Sequence, residues 1–173
     1  MNRALIPLID SPGEVTGTPN VPSEISGDGA TGLGDINYSL FFSPVKYGMA
    51  IWGIGPSLTL PTATDDQLGS EKWSAGPTAV VLFQPKWGTY GMLGRQLWSF
   101  AGDSDRANVS QMLVEPFLNF NLPQGWYLTT EMVILANWKS SASNRWTIPL
   151  GGGAGKLFTI GSQGMNVRAE AYL

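Results

Sequence analysis

The connections between the strand-like stretches of this chain alternate in length from one end to the other. Gly and Pro interrupt the sequence roughly every 10 to 15 residues, too often for helices. Between the interruptions, side chains alternate apolar and polar, which predicts strands near 2–9, 32–43, 49–60, 73–84, 89–100, 108–121, 126–137, 145–160 and 165–173. The connections 44–48, 85–88, 122–125 and 161–164 are tight. Those at 10–31, 61–72, 101–107 and 138–144 are longer and more polar. An antiparallel meander puts every second connection at the same end, so all tight turns gather at one end and all long loops at the other. Outer-membrane barrels carry this asymmetry, with short periplasmic turns and long external loops. The expectation is an all-β fold: one domain over 1–173, an antiparallel up-and-down transmembrane β-barrel with about nine strands present.

Composition narrows the partners. Charged residues are 13% of the chain, about half the usual share, which suggests a surface that does not all face water. The net charge of −3 argues against nucleic acid, whose phosphates call for a basic face. There is no Cys and no His, which removes disulfide scaffolds, thiolate nucleophiles and imidazole metal sites. No stretch is long and apolar enough for a transmembrane helix. The opening MNRALIPLID has no apolar core or small-residue cleavage site and does not read as a secretion signal.

Alternation assigns faces. Ile36, Tyr38, Leu40 and Phe42 oppose Asp35, Asn37 and Ser39. Met112, Val114, Pro116, Leu118 and Phe120 oppose Gln111, Glu115 and Asn119. Val167, Ala169, Ala171 and Leu173 oppose Asn166, Arg168, Glu170 and Tyr172. A soluble sheet alternates too, so aromatic positions carry more weight. Trp73, Trp98, Phe100, Trp138 and Trp146 fall at the long-loop ends. Phe42, Tyr47, Phe83, Trp87, Tyr90, Phe120, Trp126, Tyr127 and Phe158 fall near the tight turns. Within strands the two sets are roughly 10 residues apart, or about 25 Å for a tilted strand, the spacing of two interfacial girdles. Trp52, mid-strand, departs from the pattern.

The blocks GLGDINYSLFFSP, WGIGPSLTLPTATDDQLGSEKWSAGPTAVVLFQ, WSFAGDSDRANVSQMLVEPFLNFNLPQGWYLTT and NRWTIPLGGGAGKLFTIG, in this order, resemble the outer-membrane barrel family named for the MetA pathway of phenol degradation. The resemblance covers nearly all of the chain from Gly32 onward. It implies an outer-membrane barrel of a Gram-negative bacterium, linked by name to aromatic compounds, inserted by the outer-membrane assembly machinery. The chain departs from that pattern in lacking a secretion signal and a closing strand that ends in an aromatic residue. Nine strands cannot close with every neighbour antiparallel, and open edges are costly in lipid. The expectation is a fragment lacking strands at its ends.

Chemistry-bearing motifs are weak. LGGGAGKL (150–157) has Leu150 and Leu157 where a phosphate loop needs Gly and Ser or Thr, and strand glycines are the simpler reading. DSDRAN (103–108) opens like a calcium loop but lacks its Gly and its final Glu. Asp65, Asp66 and Glu71 offer oxygens to a divalent cation, although a solvated loop explains them more simply. No catalytic set, cofactor or metal site is expected. The charges opposite apolar neighbours are more informative, since Arg or Lys facing lipid costs about 2–4 kcal/mol near the midplane. Asp35, Glu115, Glu131, Arg168 and Glu170 therefore belong to a lumen-facing set with Asn37, Ser39, Asn119, Tyr127 and Tyr172. Arg95 joins them although alternation in 89–100 is poor. An excess of wall carboxylates would favour cations, and Tyr127 and Tyr172 would suit stacking on an aromatic solute. The expected function is a channel or passive transporter for small, aromatic or hydrophobic solutes, with the lipid bilayer as partner and no nucleic acid. A structural or adhesive barrel with a plugged lumen and a soluble lipocalin-like barrel are the alternatives.

Overall fold

The computed structural model describes residues 1–11, 14–18, 21–26, 29–45 and 48–173, with side chains described outside 12–28 and 46–47. Tyr47 and the middle of the 44–48 turn lie outside the described residues. Among the described residues there is no α-helix. The chain is an antiparallel β protein whose main sheet has eleven strands.

The path of that sheet is β1 (Asn2–Leu5), β6 (Ile36–Leu40), β7 (Ala50–Leu60), β8 (Lys72–Phe83), β9 (Gly88–Gly102), β10 (Ser110–Asn121), β11 (Trp126–Glu131), β14 (Gly151–Ile160) and β15 (Gln163–Tyr172). β12 (Ile134–Asn137) continues β11 along the edge of β10, and β13 (Trp146–Thr147) pairs with β12. The two long strands before β15 are therefore each broken once. Met132 and Val133 interrupt one, and residues 148–150 interrupt the other, where Pro149 has no N–H to give the ladder. From β6 onward, with β11–β12 and β13–β14 each taken as one broken strand, every strand pairs with the next, as in a meander.

The segment 10–31, expected as a long loop, differs. β2 (Leu8–Ser11) pairs with β5 (Ala30–Leu33), and β3 (Glu14–Thr18) pairs with β4 (Val21–Ser26). Its Gly and Pro residues read as loop, yet the β-branched residues between them sustain two short ladders. The first hairpin thus projects beyond the sheet. Pro7 breaks the ladder between β1 and β2, and its carbonyl accepts Gly34 N–H at 2.9 Å.

The main sheet does not close. β1 and β15 are its two edges, and no strand among the described residues pairs with the outer side of either. It is nevertheless strongly curled. Arg3 on β1 meets Glu115 on β10 at 3.0 Å. These strands are five spacings apart, roughly 24 Å along a flat sheet, which the two side chains cannot span together. The face carrying Arg3 and Glu115 is therefore concave.

Register assigns the rest. Asn37, Ser57, Ser74, Thr78, Arg95, Leu113, Glu115, Thr129 and Arg168 point to the concave side, and their immediate neighbours in sequence point to the convex side. The concave face is the buried one, and most of its fully covered side chains are polar: Ser57, Ser74 and Thr78 are each 1% exposed. It also holds an apolar cluster of Phe41, Leu93 and Leu113, with Val80 and Leu135 against it. The convex face is the exposed one and is apolar, with Trp52, Ile54, Met92, Leu128 and Val167 all uncovered.

Candidate functional site

The concave face holds two polar groupings. In the first, the Arg3 guanidinium donates to both Glu115 oxygens, at 3.0 and 3.4 Å. Farther along the curl, Arg168 contacts Glu170 at 3.0 Å and Glu131 at 3.6 Å. Tyr172 donates its hydroxyl hydrogen to Glu170 at 2.8 Å, and its oxygen accepts the Glu131 N–H at 2.8 Å. Tyr127 is buried, and its hydroxyl donates to Asn166 at 2.9 Å. Its ring lies over Gly155, where a β-carbon would overlap it. The glycines of the 150–157 stretch thus serve packing: a strand with side chains at 153 and 155 could not lie this close to β11 and β15. Asn119 faces the same side, opposite Thr89 and Thr129.

The second grouping is a cavity of about 610 Å³ at the long-loop end. Asn37, Thr59, Ser74, Arg95 and Gln111 form its walls, with the 105–109 segment across its mouth. Asn37 donates to Ser57 and Thr59, and Ser39 donates to Ser57, so one polar ladder links β6 to β7. Arg95 donates to the Asn37 carbonyl oxygen. Asp35 lines the cavity but is turned to the loop. One oxygen accepts Ala63 N–H, and the other accepts Ser70 N–H and the Ser70 hydroxyl.

The loops at this end hold one another. Arg106 donates to the carbonyl oxygens of Asp66 and Gly69 at 2.6 and 2.7 Å and lies 3.8 Å from Glu71. Lys72 donates to the Asp103 carbonyl. Asp103 accepts the Asp105 N–H and Asp65 accepts the Gln67 N–H, so both acidic loops spend side-chain oxygens on their own turns. Among the described residues no three acidic side chains gather as a metal site. The Glu71 carboxyl is held above the ordinary carboxylate range, first by desolvation and next by a hydrogen bond with Asp66, while Arg106 pulls the other way.

Apart from Tyr127, which is buried on the concave side, the described aromatic residues of the sequence pattern project from the convex face or its rims. Near the tight turns, Phe83, Tyr90, Trp87 and Phe120 form a run of neighbouring rings with centroids 5.0, 5.6 and 5.6 Å apart. Lys156 sits 4.9 Å over the ring of Trp126, and Phe42 and Phe158 are exposed on the same side. At the other end, Trp138 and Trp146 meet edge to face at 5.7 Å, and Trp138 donates to Gln96. Trp73, Trp98 and Phe100 are exposed there. Trp52, expected mid-strand, is exposed on the convex face as the third residue of β7, near its tight-turn end.

Sequence reasoning missed Arg3, Ser74 and Arg106. Arg3 had little signal, since Leu5 shares its face and breaks the alternation. Ser74 and Arg106 had none, because their roles arise only where two loops and two strands meet.

These features define a class at the level of architecture: a curled antiparallel sheet, polar and ion-paired inside, apolar and aromatic outside. No family model matches the chain, and neither curated proteins nor solved structures yielded a match.

Proposed function

We propose that the chain forms the wall of an outer-membrane β-barrel that passes small solutes. The observation that carries this reading is the inverted distribution of polarity. The covered face is rich in Ser, Thr, Asn and charged groups, whereas Trp, Phe, Ile, Leu and Met lie uncovered on the other face. A sheet folded for water places these the other way round, because burying apolar area stabilises and burying unpaired polar groups costs. In a bilayer the inversion is the stable arrangement. Two bands of aromatic rings at the ends of the strands fit the two lipid–water interfaces. Closure requires the edges of β1 and β15 to be paired, with each other or with further strands.

A second reading has its own observation. The Arg3–Glu115 pair spans the interior, and Phe41, Leu93 and Leu113 fill part of it. A barrel plugged in this way would act through its external loops.

The test is reconstitution of the protein from its complete gene in planar bilayers and in solute-loaded liposomes. Stepwise conductance or solute-driven swelling is the expected result. Correct insertion with neither would leave the plugged barrel. Solubility and monodispersity without detergent would overturn both.

A further inference from the structure

We propose that the 610 Å³ cavity at the long-loop end is a binding site for a small organic monocarboxylate, with Arg95 as its anchor. This deepens the solute-channel reading and rests on it for the route of the ligand, but binding at equilibrium is measured without flux.

Three observations converge on an anion. Arg95 faces the cavity and forms no ion pair among the described residues, whereas Arg3, Arg106 and Arg168 each meet a carboxylate. Its described hydrogen bond is to an amide oxygen, that of Asn37, which leaves donors of the guanidinium fork for a ligand. Ser74 lines the same cavity and is 1% exposed, and its hydroxyl, buried at the wall, has no hydrogen-bond partner. A buried hydroxyl without a partner costs free energy that a ligand oxygen would recover. The one carboxylate set into the wall, Asp35, has both oxygens occupied by Ala63 and Ser70.

The cavity also limits the anion. Asp35 in the wall and Asp105 at the mouth disfavour a second negative charge on the ligand. Leu97 and Val109 line the remaining wall and suit a short apolar body. The volume lies within the usual range for small-molecule pockets, about 300–1,000 Å³. A singly charged carboxylate on an aromatic ring or short alkyl chain meets all of these conditions.

The experiment is calorimetric titration of the full-length protein in detergent micelles with benzoate and with benzamide, its neutral isostere. Benzoate should bind at least about tenfold more tightly, the effect of one charge-assisted pair. Arg95→Gln should bring benzoate down to the level of benzamide, and Arg95→Lys, which keeps the charge but loses the fork, should fall between. Should Arg95→Gln not fold, judged by heat-modifiable gel mobility, Ser74→Ala serves instead and should weaken benzoate several-fold while leaving benzamide less affected. Equal binding of the two probes by the wild-type protein overturns the proposal, as does unchanged benzoate affinity in the variants. Loss of conductance with selective benzoate binding intact would count against the channel and leave the site standing.

Discussion

Replacing Arg3 by Met takes from the Glu115 carboxylate, 8% exposed, its ion-pair partner. A fully buried pair broken on one side costs about 3–5 kcal/mol. The guanidinium here is 41% exposed, and the solvent reaching it lowers that figure to about 1–3 kcal/mol. Arg3→Met combined with Glu115→Leu removes both charges and should recover most of the loss. Urea unfolding of the reconstituted protein reads both variants, and equal destabilisation by the single and double changes would contradict this account of the pair. Gly155 offers a second test. Ala in its place drives a methyl into the Tyr127 ring and should cost about 1–3 kcal/mol, the range for overpacking. In a Tyr127→Ala background the same change should be nearly neutral, because the obstructing ring is gone. At this scale the sequence was legible where a polar residue stood alone between apolar neighbours, as Asn37, Glu115 and Glu170 do. It was misleading where apolar residues occupied both faces. Leu93 and Leu97 on the concave side alternate with Met92 and Trp98 on the convex side, which blurs the pattern around Arg95.

Strand positions follow from alternation, and the nine stretches expected from it correspond to the rungs of the main sheet. What alternation cannot register is a break within a strand, as between β11 and β12, or a ladder built from residues typical of loops, as in β2 to β5. Loops leave even less trace. Beyond the Asp103 N–H to Glu71 carbonyl bond at the strand ends, the contact between 61–71 and 103–109 is made by one guanidinium that reaches two carbonyl oxygens. Arg106→Ala should therefore raise amide hydrogen exchange across 64–71 while leaving β8 and β9 protected, since their ladders do not involve it. Unchanged exchange in that loop would show that Arg106 does not hold it. The same contact should depend on pH. The folded loop holds the Glu71 proton more tightly than the free chain does. Its contribution is full below the ordinary Glu value of 4.5 and is lost as pH rises through the higher folded value. Protection of 64–71, corrected for intrinsic exchange, should fall over that window in the wild type and stay level in Glu71→Gln.

For the molecule as a whole, the question is which solvent its convex face meets, and one side chain can report it. Met92 lies on β9 between the two aromatic bands, two residues beyond Tyr90, opposite Val81 and Pro116, and is 47% exposed. On a surface that meets water, Met92→Arg changes stability by no more than about 0.5 kcal/mol. In hydrocarbon near the bilayer midplane the same change costs about 2–4 kcal/mol, falling to about 0–1 kcal/mol near an interface. Phe100, on the same face at the long-loop end of β9, supplies the comparison. Unfolding of Met92→Arg and Phe100→Arg from phosphatidylcholine vesicles should show a large loss for the first beyond any loss for the second. The polarity of the concave face cannot produce that order, since neither residue touches it. Equal, small losses at both sites would mean that the convex face meets water, and the inverted polarity of the sheet would then require a protein partner in place of lipid.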